Sequence, residues 1–293
     1  MLNEEKDWDE ISRTPGLSEG FIRGNSDKVN WTLISYYQVL SEDFINEFSH
    51  KVYWDYISEF QKLSEEFIRE NSENLFWWPI SGRQKLSEEF IREFKYKVNW
   101  DYISTYQELS EDFIREHSDK VNWYNILKYQ NLSEEFIREF SDEVDWYNIL
   151  ISSYQKLSPE FIKEYSLEIP DTCWLDKDKE FKREYIKKNT SYEIIGDKVI
   201  AYKTCRLDGY SKFNFQYHYE VGGEYESNAN YNIDEENSFG LSAWTKEGAL
   251  SYYNKGKLFK VEIDIDDIAA IVYKEKKIRA RKIKIIEEIN NPV

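Results

Sequence analysis

Apolar positions in the first half of the chain recur every 23 residues, as Leu-x-x-x-Phe-Ile and then Val-x-Trp-x-x-Ile with polar residues between. Trp8, Trp31, Trp54, Trp77, Trp100, Trp123 and Trp146 keep this spacing without a slip. A fixed period of this length is the mark of one small unit copied in tandem. The consensus LSEEFIREFSDKVNWDYISxYQK begins at Leu17, Leu40, Leu63, Leu86, Leu109 and Leu132, with a degenerate last copy at Leu157. Trp8 and Ile11 belong to the second half of a unit that lacks its first half.

Each copy holds two helix starts. The serine of Leu-Ser-Glu-Glu-Phe-Ile suits an N-cap, where its hydroxyl accepts from an orphan backbone N–H. Leu86 and Ile91 flank the Ser87 cap at the spacing of a hydrophobic staple. Glu88 and Glu89 complement the helix dipole, and Glu88–Arg92, like Glu65–Arg69, Glu111–Arg115 and Glu134–Arg138, forms an i,i+4 pair. Asn30, Asn99, Asn122 and Asp145 cap the second helix, whereas Tyr53 and Phe76 take that place in two copies and should start it less firmly.

Two helices of about eight residues are too short to stand alone, so neighbouring copies must bury their apolar faces. The predicted result is an α-solenoid stabilised by nearest-neighbour interfaces. The tryptophans are read as buried pins between copies, so Trp100→Ala would cost about 3–5 kcal/mol on full burial. Pro79 and Gly82 should shorten or distort their helix. Pro159, at a first helical position, should not. The stretch 149–153 is two residues longer than its counterparts.

The predicted domains are residues 1–165 as seven repeats plus a half-repeat, 166–189 as a capping helix and connector, and 190–293 as a small α+β domain. In the last, strand character falls on Lys198–Cys205, Phe213–Val221, Lys257–Ile265 and Ile278–Ile286. A helix is expected from a Thr245 cap, and Gly222-Gly223 reads as a turn. The fold class is therefore α plus α+β.

The formal net charge is −17, and residues 190–293 carry 15 Lys+Arg against 17 Asp+Glu. About −15 therefore lies in residues 1–189, a surface that repels phosphate backbones and favours a basic protein partner. Cys173 and Cys205 form no secreted-type disulfide framework, which points to a reducing compartment. No basic-then-apolar leader and no run of 18 apolar residues is present, so neither a signal peptide nor a membrane-spanning helix is expected.

Leu-Ser-Glu-Glu-Phe-Ile-Arg-Glu-Phe with its downstream Val-Asn-Trp-Asp-Tyr-Ile-Ser, over residues 8–165, resembles repeats of mimivirus-type giant-virus proteins. Similar repeats occur in some phage and bacterial proteins. Ala201-Tyr202-Lys203, the stretch 219–226 and Phe239-Gly240-Leu241-Ser242-Ala243-Trp244-Thr245 resemble a domain of unknown function from phages and giant viruses. The resemblance implies an intracellular viral protein, in the host cytoplasm or the virion, and brings no catalytic residue.

The aromatic ladder invites comparison with a stacking platform for single strands, but acidity opposes it and core packing explains it. Gln38, Gln61, Gln84, Gln107 and Gln130 recur at the period and suit a helix-end or inter-repeat role. The glutamate pairs lack the converging loop oxygens of a calcium site. His50, His117 and His218 share no metal or triad spacing, and no metal or cofactor is expected. One enzymatic alternative remains, since the order of the C-terminal segments loosely resembles ADP-ribosyltransferase-like domains. There Arg206 would hold the phosphates of NAD, Ser242 would order the pocket and Glu262 would orient the nucleophile. The leading expectation is a non-enzymatic protein–protein interaction or scaffolding role.

Overall fold

The computed structural model describes residues 7–144, 151–155, 157–167, 172–175, 177–212 and 214–289. Asp145, Trp146 and Pro170 lie outside the described residues. The chain is an α-solenoid followed by an antiparallel sheet. It divides into two compact units, one of Met1–Tyr102 with Phe213–Gln216 and one of Ile103–Lys212 with Tyr217–Val293.

Short helices alternate along the repeats. First-type helices are α2 (Glu19–Gly24), α4 (Glu42–Glu47), α6 (Glu65–Glu70), α8 (Glu88–Glu93), α10 (Glu111–Glu116) and α12 (Glu134–Glu139). Second-type helices are α1 (Trp8–Arg13), α3 (Trp31–Tyr37), α5 (Trp54–Phe60), α7 (Trp77–Arg83), α9 (Trp100–Tyr106) and α11 (Trp123–Tyr129). α13 (Pro159–Glu164) starts on Pro159 behind a Ser158 cap, as expected. Every first-type helix opens on its serine, whose hydroxyl accepts from the N–H three residues on. Asn30, Asn99 and Asn122 cap second-type helices, while Tyr53 and Phe76 make no side-chain cap bond.

A six- or seven-residue helix leaves most of its N–H and C=O groups without an internal partner. Here the neighbouring copy supplies partners. Gln61, 1% exposed, accepts from the Leu40 N–H at 3.0 Å and donates to the carbonyls of Ser35 and Gln38 at 3.1 and 2.8 Å. Gln38 bonds likewise to Leu17, Ser12 and Thr14, and in the second unit Gln130 bonds to Leu109, Ser104 and Gln107. Ser12, Ser35 and Ser58 donate to the carbonyl four residues back and accept from Asn30, Tyr53 and Phe76 N–H at 2.9–3.0 Å. The first-turn glutamates Glu19, Glu42 and Glu65 accept from the N–H of the next serine cap, Ser41, Ser64 and Ser87, at 2.5–2.7 Å.

The expected i,i+4 ion pairs are present but long, 3.6 Å in Arg69–Glu65 and 3.9 Å in Arg115–Glu111. The same arginines bind the following copy more closely, Arg69–Glu93 at 2.7 Å and Arg115–Glu139 at 2.8 Å. These pairs are exposed, so solvent and salt screen them and they add little to stability.

Two expectations are corrected. The described repeat tryptophans are half-buried, not buried pins. The indole N–H, which needs an acceptor, reaches the carbonyl five residues upstream at the rim, 2.8 Å from Trp31 to Ser26 and 3.2 Å from Trp77 to Ser72. The ring packs on the next copy's phenylalanine, as in Trp31–Phe44 at 6.1 Å, and a lysine covers it, as Lys51 does at 5.8 Å. The fully buried positions are isoleucines such as Ile34, Ile57 and Ile80 together with phenylalanines such as Phe44 and Phe90. Second, α7 keeps seven residues despite Pro79 and Gly82. Pro79 stands in the first turn, where an N–H has no helical acceptor, and the strain is limited to a long Ile80 N–H bond to Phe76, 3.4 Å against 2.9 Å in α5.

The sheet comprises β1 (Glu193–Ile195), β2 (Lys198–Cys205), β3 (Glu224–Glu226), β4 (Leu241–Trp244), β5 (Lys257–Asp264), β6 (Ile268–Val272), β7 (Lys277–Ala280) and β8 (Lys282–Ile289). Its order is β3-β8-β5-β2-β4-β7-β6, with β1 also on β2, and all pairs are antiparallel. The helix Lys246–Tyr252 starts at the Thr245 cap as expected. Phe213–Val221 is not a strand: its described residues contribute one bridge, His218 with Tyr210. Ile278–Ile286 is not continuous either. It breaks at Arg281, whose N–H and guanidinium both turn to Asp267. The helix Lys179–Asn189, expected to close the solenoid, instead buries Ile186 in the sheet core beside Trp174 and Val199.

Gln61→Ala strands buried backbone groups that cost about 1–3 kcal/mol each, so its loss should total roughly 3 kcal/mol or more. Trp54→Ala removes a half-exposed ring and should cost roughly 2 kcal/mol. Urea denaturation of the full chain tests this order; a larger loss for Trp54→Ala would return the tryptophans to the role of buried pins.

Candidate interaction surface

In the second unit the C-terminal end of α11 is occupied, while Tyr124 in its first turn stays 50% exposed. Phe239 stacks edge-on against Tyr129, with ring centroids 4.7 Å apart, and lies 6.0 Å from Tyr154. Glu235 accepts from the Tyr154 hydroxyl at 3.1 Å and pairs with Lys128 at 3.5 Å. Asn228 donates to the Gln130 carbonyl at 3.3 Å, and the Tyr231 N–H bonds to Ser153 at 3.3 Å. Burial, and then the adjacent Glu235 carboxylate, push the Tyr154 hydroxyl far above its ordinary pKa.

The occupying segment, 228–239, is irregular chain held from behind. Arg279, fully buried, donates to the carbonyls of Asn230 at 2.6 Å and Asn232 at 3.3 Å, and also to that of Glu235. Gly240, at φ +122°, leaves the space that this arginine fills, since a Cβ there would lie 2.8 Å from its Cγ. Asn230 ties the loop shut through Ser238 at 2.9 Å.

In the first unit a backbone bond reaches the end of α7. The Phe215 N–H bonds to the Arg83 carbonyl at the helix end at 2.9 Å, and Phe215 is buried. Elsewhere in this unit the outer face is open and aromatic. Tyr36 lies 4.3 Å from Phe60 and 5.4 Å from Tyr56, and Tyr56 lies 6.4 Å from Tyr53. Trp78 meets Tyr102 edge-on at 5.9 Å. Tyr36, Tyr53, Phe76 and Trp78 are 41%, 49%, 49% and 44% exposed. Tyr53 and Phe76 occupy cap positions, where an asparagine would add about 1 kcal/mol, and their exposure returns little of that loss.

The residues singled out for NAD chemistry do not converge. Glu262 pairs across the sheet with Ile200, six positions along β2 from Arg206, a separation of roughly 20 Å at strand rise. Arg206 is bound to Asp208 at 3.1 Å. The Ser242 carbonyl accepts from the buried Lys203 ammonium at 2.9 Å, which gives this position a structural task. Cys173 and Cys205 are buried and unbridged, and no metal-binding group of His, Cys, Asp or Glu occurs among the described residues. His50 is exposed, His117 lies edge-on to Phe113 at 4.6 Å, and His218 faces the Asp208 carbonyl at 3.1 Å. Gly222, at φ +89°, makes the expected turn.

A cleft of about 470 Å³ lies on the sheet unit, lined by Trp244, Glu247, Gly248, Ser251, Tyr252, Tyr273 and Lys276. Its rings are engaged with one another: Trp244 stacks on Tyr252 at 5.3 Å, and the Lys277 ammonium lies 5.4 Å from Trp244 and 5.1 Å from Tyr273.

Compared with protein-family models, curated proteins and solved structures, the chain matches none. No helix among the described residues is long and apolar enough to cross a membrane.

Burial lowers the ammonium pKa of both Lys203 and Lys277 to about 8. Between about pH 8 and 10 the unfolded chain therefore holds two lysine protons that the folded chain has released, which outweigh the one proton kept by the Cys205 thiol, pushed up to about 12 by burial, and stability rises with pH. Below pH 8 both states are protonated and the cost of burial is complete. Above about pH 10 the buried tyrosines, whose pKa burial raises, reverse the slope. Urea midpoints across pH 7–10 should rise, and Lys203→Met should flatten the rise; a flat wild-type profile would refute this account.

Proposed function

We propose that the chain is a protein–protein interaction scaffold whose second-type helices receive extended polypeptide segments on their outer face. One observation carries this reading: the chain's own segment 228–239 lies on α11, bringing an aromatic ring, a carboxylate and backbone-level hydrogen bonds. At the end of α7 the contact is one backbone bond from a buried phenylalanine. Such docking needs no reactive group. The net charge of −17 opposes a phosphate backbone as the partner.

The open aromatic positions of the first unit are where a foreign segment would sit, because exposed rings supply contact area at low entropic cost. Tyr36→Ala with Trp78→Ala removes two half-exposed rings at a cost of roughly 2 kcal/mol each; it should leave the far-ultraviolet circular dichroism unchanged and abolish crosslinking to a partner through photoreactive residues placed at Tyr53. Identical crosslinked products from parent and double variant would exclude this face as the binding site.

A further inference from the structure

The open strip on α3 and α5 carries chemistry that the occupied faces do not. Tyr36, Tyr53, Tyr56 and Phe60 form a continuous ring cluster, and the exposed Asp55, next in sequence to Tyr56, accepts from the Tyr56 N–H through one carboxylate oxygen at 3.0 Å. Residues 1–102 contain 20 Asp+Glu and 12 Lys+Arg, a net charge of −8. Within this unit a cation already shows how such a surface is satisfied. The Arg83 guanidinium lies 5.6 Å from the Phe60 ring centre and 2.6 Å from the Glu59 carboxylate. Lys28, Lys51 and Lys97 cover Trp8, Trp31 and Trp77 at 5.6–5.8 Å in the same way.

Resting on the reading of this face as a docking surface, we infer that the strip binds an extended segment of a partner protein through arginine side chains. A planar guanidinium stacks on tyrosine faces while its edge pairs with a carboxylate, which a lysine ammonium does less well. Asp55 and the Tyr36–Tyr56–Phe60 cluster supply the two halves of that recognition, and the negative charge of the unit speeds the approach of a basic segment. An acidic segment like 228–239 has no counterpart of Lys128 on α3 or α5, since neither helix contains a lysine or arginine.

The test is fluorescence polarisation on the full chain with three fluorescein-labelled octapeptides. These are Gly-Arg-Ser-Arg-Gly-Arg-Ser-Gly, the same peptide with each arginine replaced by glutamine, and Gly-Glu-Ser-Phe-Gly-Glu-Phe-Gly. The arginine peptide should bind at least tenfold more tightly than the glutamine peptide and weaken severalfold between 0.1 and 0.5 M salt. Tyr36→Ala with Tyr56→Ala should reduce its affinity at least tenfold, and Asp55→Asn severalfold, whereas Tyr124→Ala on α11 should leave it unchanged. Equal binding of the arginine and glutamine peptides, or an unaffected double variant of unchanged melting temperature, would overturn the inference. Preference for the acidic aromatic peptide, lost in the same double variant, would overturn the arginine assignment while leaving the docking face intact. Binding of none of the three would remove both. Self-association in sedimentation that the double variant abolishes would make the occupant a second copy and also overturn it.

Discussion

The structure depends on one constraint: helices of six or seven residues have more unpaired backbone groups than paired ones, and several of those groups are buried. No amount of apolar packing makes such helices viable unless each buried N–H and C=O finds a partner. The glutamine, serine and glutamate ladders supply these partners from the adjacent copy. Gln61 alone joins the end of one second-type helix to the loop that opens the next first-type helix. The ladder follows the backbone through a change of spacing: Gln155, two residues later in its copy than Gln130, still accepts from the Leu132 N–H at 3.3 Å and donates to the Leu127 and Gln130 carbonyls at 2.7 Å. Isoleucine and phenylalanine then fill the space that this polar frame defines.

Much of this architecture was legible in the sequence. Serine and asparagine caps have a local mechanism, and they located the helix starts, as the alternation of Lys198–Cys205 located β2. What resisted sequence reading depends on distant partners. The recurrence of Gln61 was visible, yet its acceptors lie 23 and 26 residues away, and the conserved spacing of Ser35 looked like ordinary helix composition. The size of tryptophan suggests core; its N–H, which pulls it to the rim, decides otherwise. The Phe213–Val221 stretch has strand-like composition, but composition cannot say whether a neighbouring edge is available.

The candidate site was harder to read for a related reason. Some of its parts, such as Tyr53 and Phe76, are departures from the consensus, and their meaning depends on exposure. Tyr53 and Phe76 could be seen to lack a cap, but only their exposure shows that burial does not compensate. The loop on α11 was not legible at all, because its position follows from Arg279, an arginine within a strand whose charge is absorbed by three backbone carbonyls. Burial lowers the Arg279 pKa to about 10, still well above neutrality, so a charged group stays in the interior to organise irregular chain.

Because the joints between copies run through backbone atoms and recurring inner side chains, the outer positions of the second-type helices can vary without weakening the stack. Comparing α3, α5, α7 and α11, the position after the tryptophan is Thr32, Asp55, Trp78 and Tyr124, while the isoleucine three past it is unchanged. A surface that varies over a frame that does not is how a repeat array acquires different specificities along its length. In this chain one stretch of that surface is taken by its own loop through a lysine, a glutamate and a phenylalanine, and another is lined with tyrosine and acid. The two stretches differ in charge: α11 carries Lys128, whereas α3 and α5 contain no lysine or arginine.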